Sequence, residues 1–204
     1  MPTPQPGEIW EVSRLVQSPL EFSSKEQQIF YSSSVQRFLA KNSPPRYVMI
    51  VKEPEPVIET QEWLIVSVMM FSLKTDFISD VDLLIPTKIS GLYQDLLAET
   101  WHIIPALTCN LLRSVGKRIS RQIYDYLLAV GDYYHGLIDE LPPEISEIHR
   151  SLSATKDSKT QYFHEQEEAW SDVLTLPVAA YHTYLKSKKF TDAVLDEALN
   201  LEQD

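Results

Sequence analysis

The chain has one cysteine, five glycines and no apolar run long enough to cross a bilayer, and each shortage removes a class of protein. With Cys109 alone no intramolecular disulfide can form, which excludes a small secreted scaffold held by disulfides and makes a reducing compartment the simpler setting. The few glycines make no phosphate-binding loop. There is no serine-centred elbow of the hydrolase kind and no paired-carboxylate pattern for acid–base chemistry. The longest apolar run, Trp63 to Phe71, falls short of the roughly 18 to 20 residues a membrane helix needs and fits a buried strand. The opening stretch MPTPQPGEIW carries neither a basic nor an apolar region, so a signal peptide is not expected and the expected location is cytoplasmic, with no membrane partner. His135, His149, His164 and His182 show no metal-ligand spacing among themselves or with Cys109, so neither a metal nor a cofactor is expected.

What is present describes a folded chain: 204 residues, 44% apolar and 23% charged. The net charge of -11 and pI near 4.9 argue against broad nucleic-acid binding and leave room for one local basic groove. The acidity is uneven, since residues 141–204 carry 6 Lys+Arg against 12 Asp+Glu.

Along the chain, Gly7 to Val12 reads as a first strand after a proline-rich arm. A long excursion follows, with a helix expected over Gln27–Ala40 and stopped by Pro44–Pro45. Arg46 to Val51 is a strand of β-branched and aromatic residues. Trp63 to Ser72 is apolar on both faces and hence a central strand, and Val81 to Ile85 is another. Residues 87–99 read as a loop with a helical turn at Leu92–Ala98, and His102 to Leu112 as one further strand. Ser114 to Lys117 is a turn into a helix whose face is Ile119, Ile123, Leu127 and Val130, ending at Leu141–Pro142–Pro143. That helix begins inside the basic cluster Lys117, Arg118 and Arg121, which its dipole disfavours, so partners outside the helix are expected for those cations. Ser151 to Thr160 is polar enough for a linker. Three helices are expected beyond it: Tyr162–Leu174, one starting at Thr175 or Leu176 before Pro177, and Asp192–Leu201 capped by Thr191. The fold class is thus α+β, with residues 1–140 as one unit and 141–204 as an acidic helical extension.

Three stretches carry a family likeness: Pro6–Gly7–Glu8–Ile9–Trp10, then Pro45–Arg46–Tyr47–Val48–Met49–Ile50–Val51, then Ile103 to Ile119 with LLRSVGKRI inside it. In this order they resemble the PemK/MazF family of toxin–antitoxin endoribonucleases, over about Gly7 to Tyr134. The resemblance implies a small SH3-like β-barrel closed by a long C-terminal helix, a homodimer, and single-stranded RNA as ligand. It also implies metal-independent cleavage by an arginine heading the second strand, here Arg46, with a Ser/Thr on the third. The likeness is imperfect there. The register puts Met70 at the hydroxyl position, and Ser72 or Ser67 enters only with a slip. The long segment 15–45 replaces a glycine-containing loop, and residues 141–204 have no counterpart. The expected function is therefore a divergent barrel acting as a binding or regulatory module without efficient catalysis; the alternative is a working endoribonuclease using Arg46 with Ser72 or Ser67.

Each candidate also has a plain structural role. Arg46 could stabilise charge on a phosphate, or it could pair with a carboxylate. Arg113, Lys117, Arg118 and Arg121 could follow a nucleic-acid backbone or bind an acidic segment, either an antitoxin-like partner or the chain's own C-terminal region. Glu165, Glu167 and Glu168 beside Trp170 would supply such a segment in cis. His102 is a general base or a hydrogen-bonded strand histidine. Cys109 suits burial, and Tyr124, Tyr126, Tyr133 and Tyr134 suit an interface.

Overall fold

Strand pairing is the frame on which the other elements rest. In the computed structural model, which describes residues 3–19, 29–55, 63–145 and 158–201, six strands form one antiparallel sheet. They are β1 (Ile9–Val12), β2 (Tyr47–Glu55), β3 (Ile65–Ser72), β4 (Asp82–Ile85), β5 (Leu96–Leu107) and β6 (Leu111–Val115), in the order β4-β5-β3-β2-β1-β6. The strand apolar on both faces, β3, lies between β5 and β2 as its composition requires. Among the described residues the helices that complete the α+β fold include α1 (Ser33–Leu39), α2 (Thr87–Ser90), α3 (Arg121–Tyr134) and α4 (Ser158–Leu201).

Alternation along β3 sorts the core into two layers. Val66, Val68 and Met70 join Val48, Ile50 and Trp10 under α1 and α4, which contribute Val35, Phe38, Trp170, Val173 and Leu174. Met69 and Phe71 join Ile9, Met49 and Ile85 under Tyr124 and Leu127 of α3. The sheet is sandwiched, and α4 completes one core layer. The rings of Phe38 and Trp170 meet edge to face at 5.1 Å, tying the two helices of that layer together. The sheet is open, with β4 and β6 at its ends. Beyond them the Lys117 N–H donates to Ser90 O at 2.6 Å, and Gly116, at φ +64°, leaves room for that approach.

Several expected boundaries move. The helix expected over Gln27–Ala40 contains α1 at Ser33–Leu39, started by the Ser32 hydroxyl accepting from the Val35 N–H; residues 20–28 lie outside the described segments. The turn expected at Leu92–Ala98 is instead α2, closed by Gly91 in a left-handed conformation, with β5 beginning at Leu96. The run read as one strand, His102–Leu112, holds a corner. A 3-10 turn at Thr108–Asn110 separates β5, paired with β3, from β6, paired with β1. Asn110 fixes the corner by accepting from Gln17 N–H at 2.7 Å and donating to Gln17 O at 3.0 Å. An apolar run has no mark for such a change of partner.

The helix after the basic cluster starts at Arg121, capped by Ser120, so Ile119 is core residue but not helix. It ends at Tyr134 rather than near Leu141, because Gly136 takes a left-handed conformation and the Gly136 N–H returns to Tyr133 O. The three expected C-terminal helices are one, α4, which runs through Pro177. Proline removes one helical N–H, and neighbouring packing of Val173, Leu174 and Val178 holds the helix across it. Of the expected linker, 151–157 lies outside the described residues and Ser158–Thr160 is helical.

Gly131 of α3 lies against β5: a Cβ there would stand 2.6 Å from Thr100 O, backbone that cannot swing away. Gly131→Ala is expected to cost about 1–3 kcal/mol by forcing the helix off the sheet. Urea unfolding checks this, and an unchanged midpoint would contradict the packing.

Candidate functional site

The site is built on an irregularity in β5. Met69 pairs with Ile103 and Phe71 with Ala98, so the four residues Glu99 to His102 face Met70 alone. Such a bulge bends the strand and re-aims its side chains. It is held from both sides. Gly131 packs on Thr100 O, while the Thr100 hydroxyl donates to Val81 O at 2.8 Å. Through the bulge Glu99 and His102, three residues apart, meet: His102 Nδ1 lies 2.9 Å from Glu99 Oε2.

Helix α4 supplies the other half. Phe163, Glu167, Trp170 and Leu174 recur at steps of four, three and four, so they share the face turned to the sheet. Glu167 forms a two-pronged ion pair with Arg46, which immediately precedes β2; both of its carboxylate oxygens are engaged. Trp170 covers the same guanidinium at 4.4 Å from its ring centroid. Side-chain exposure is 12% for Arg46 and 4% for Glu167, so this pair is buried. Burial works against the Arg46 charge, and Glu167 more than restores it. Burial likewise opposes ionisation of Glu167, but Arg46, by its charge and hydrogen bonds, holds the carboxyl below its ordinary range.

Glu99 has the opposite fate. Fully buried, beside the Glu167 carboxylate and near Asp82, its carboxyl is pushed well above the usual range, with Arg46 offsetting only part. Burial pushes His102 down to about 4, with Arg46 and His164 acting the same way against Glu167. The imidazole tautomer of His102 sets which group donates in its bond with Glu99 Oε2, and the Glu167 carboxylate is a second hydrogen-bonding neighbour of Glu99. Asp82 closes the far side, accepting from the Ser79 N–H at 3.0 Å and from Trp101 Nε1 at 3.2 Å, with His164 Nε2 at 3.5 Å. Trp101 stacks on His102 at 4.5 Å and lies 4.6 Å from His164. Arg46 Nε, Glu99 Oε1 and His164 Nε2 are buried without a hydrogen-bond partner, so the polar demand of the cluster is incompletely met.

The sequence candidates divide. Continuing the register Tyr47–Phe71, Val48–Met70 by one residue puts Arg46 across from Ser72, which is fully buried and accepts from the Lys74 N–H at 3.3 Å. Ser67 stands between Val66 and Val68, hence on the opposite face from Met70 and at the other end of the strand. The basic cluster is elsewhere and locally satisfied: Arg113 pairs with Glu11 across the β1–β6 ladder, Arg118 Nε donates to Pro6 O, and Arg121 pairs with Asp125. Lys117 lies along Gly91. A cleft of about 330 Å³ opens between Pro6, Arg118, Ile119, Ser120, Arg121 and Tyr124. Among the described residues no group of His, Cys, Asp or Glu is arranged to hold a metal, and no helix is long and apolar enough to cross a membrane. Sequence reasoning missed Glu99, Asp82 and Trp101. The available signal was ETWH, four residues that interrupt the apolar run of β5 and shift its phase. Compared with known proteins, the chain matches no family profile and no curated protein.

As it stands the cluster pairs the charge of Arg46 with Glu167 and buries the Glu99 carboxyl, both under α4. His102 provides a check on the electrostatics. Its folded value lies below the ordinary 6.5, so as pH falls from about 6.5 to 4 the unfolded chain takes up a proton the folded chain refuses. Glu99, whose carboxyl is raised on folding, acts in the opposite sense, so comparison with a variant at position 102 is used to isolate the histidine. The stability advantage of the parent over His102→Gln is expected to shrink by about 3 kcal/mol between pH 7 and pH 4. Urea titrations at both pH values measure it; a difference that ignores pH would contradict the assignment.

Proposed function

We propose that this chain is a divergent SH3-like barrel of the PemK/MazF type that serves as a binding or regulatory module and does not cleave RNA efficiently. The observation that carries this is the occupation of Arg46: the residue that the resemblance makes the phosphate ligand is paired on both prongs with Glu167 and covered by Trp170. A guanidinium so engaged offers no free fork to a phosphate. The barrel itself is supported by the corner between β5 and β6, which carries the chain from β3 to β1, and by the Lys117–Ser90 hydrogen bond joining the regions beyond β6 and β4. The ligand class is single-stranded RNA or an acidic protein segment, met at the cleft beside Arg118 and Arg121, and the assembly is a homodimer in which the exposed Tyr133 and Tyr134 are the contact.

One observation favours the second reading, a metal-independent endoribonuclease. Arg46 and Ser72 stand opposite each other in register, so the hydroxyl the resemblance asks for lies next to its arginine. Both are shut away, and use of the pair would require α4 to leave.

Incubation of the purified chain with mixed single-stranded RNA in the presence of chelator separates the two. No cleavage is expected from the parent or from Arg46→Ala. Cleavage by the parent that Arg46→Ala reduces by about a hundredfold or more, the scale of losing one preorganised charge donor, would overturn the binding-module reading.

A further inference from the structure

Two carboxylates and one guanidinium meet at the joint between α4 and the sheet. Glu99 and Glu167 lie near each other there, one fully buried and the other almost so, with Arg46 as the cation paired to Glu167. Every charged or titratable group facing Glu99 enters the balance: Glu167 and His164 from α4, Arg46 ahead of β2, Asp82 from β4, and His102 from its own strand; Lys74 acts on Glu167 from the far side. Arg46 compensates Glu167. His102 adds no charge while it is neutral. A second carboxylate at Glu99 would have no cation left to pair with, and its Oε1 has no hydrogen-bond donor.

We infer that docking of α4 on the sheet takes up one proton, held by Glu99 beneath the Arg46–Glu167 pair, and that undocking releases it to solvent. α4 is then a proton-coupled lid over the bulge in β5. The balance is simple: closed, Glu99 is a carboxylic acid; open and hydrated, it is a carboxylate of ordinary acidity and the proton is on water. The lid is the part of α4 before Pro177, where a missing helical hydrogen bond marks a natural pivot. This part carries Phe163, His164, Glu167 and Trp170, whereas Val178 and Tyr181, beyond the proline, pack separately with Leu107. Raising the pH therefore favours the open state, in which Arg46, Trp101 and His102 face solvent.

That consequence for Arg46 rests on its reading as the covered binding group, but the proton coupling is measured without any ligand, so failure of the one is distinguishable from failure of the other. Backbone hydrogen exchange of the full chain is followed between pH 7 and pH 9, above the range in which His102 titrates when exposed, and corrected for intrinsic exchange. In the parent, protection of amides in residues 162–174 is expected to fall with rising pH relative to α3, with about tenfold per pH unit as the limiting slope of a single linked proton. In Glu99→Gln, which keeps the shape and the hydrogen bond to His102 but has no proton to lose, the slope is expected to vanish. A parent without that slope, or a Glu99→Gln variant that keeps it, overturns the proposal. Should Glu99→Gln fail to fold, carboxyl carbon NMR of the parent decides: one glutamate still protonated at pH 7 supports the inference, and full ionisation of all glutamates overturns it.

Discussion

A guanidinium has been taken out of water at the point where the C-terminal helix meets the sheet, and the surrounding structure answers that fact. A buried arginine requires a carboxylate aligned with its fork, and Glu167 supplies it from α4. Trp170, one helical step away, closes the face of the guanidinium while its ring packs on Phe38. The same two turns of helix thus satisfy the charge and complete the apolar layer with Val173 and Leu174. A surface ion pair would contribute little, whereas breaking a buried one leaves an uncompensated charge inside the protein. When docked, the helix is therefore a structural part of the sheet's outer layer.

The second constraint is the bulge. Regular pleating would send Glu99 and His102 to opposite faces of β5, since residues three apart on a strand point apart. Four residues set against Met70 bring them together, and Gly131 of α3 gives the distorted backbone room from behind. The bulge places a second carboxylic acid under the ion pair, and burial, with the Glu167 carboxylate beside it, pushes that carboxyl well above its ordinary range. Fold irregularity, burial and protonation state form one chain of cause.

Much of this was legible before any coordinates. The apolar run of β3 located the middle of the sheet. Arg46 stood out as the cation heading a strand and open to a carboxylate partner, and Glu165, Glu167 and Glu168 beside Trp170 stood out as an acidic segment, without a sign of which glutamate would meet it. The rest failed for identifiable reasons. The corner at Thr108–Asn110 is set by Asn110 bonding to Gln17, 93 residues away, which no local pattern reports. Pro177 reads as a helix start, but tertiary packing on both sides carries the helix through it. Glu99 falls at the end of the stretch read as a loop, and because bulges are properties of a pair of strands, only the register with β3 reveals this one.

The account depends most on the energetic coupling of Arg46 to Glu167. A double-mutant cycle with Arg46→Met, Glu167→Met and the double variant, each unfolded in urea at pH 7, measures it directly. Each single change is expected to cost about 3–5 kcal/mol by stranding the other charge, and the double change no more than either single one. Losses that simply add would mean that the pair is a crystal-like coincidence of two independent side chains, and the joint between helix and sheet would need another explanation.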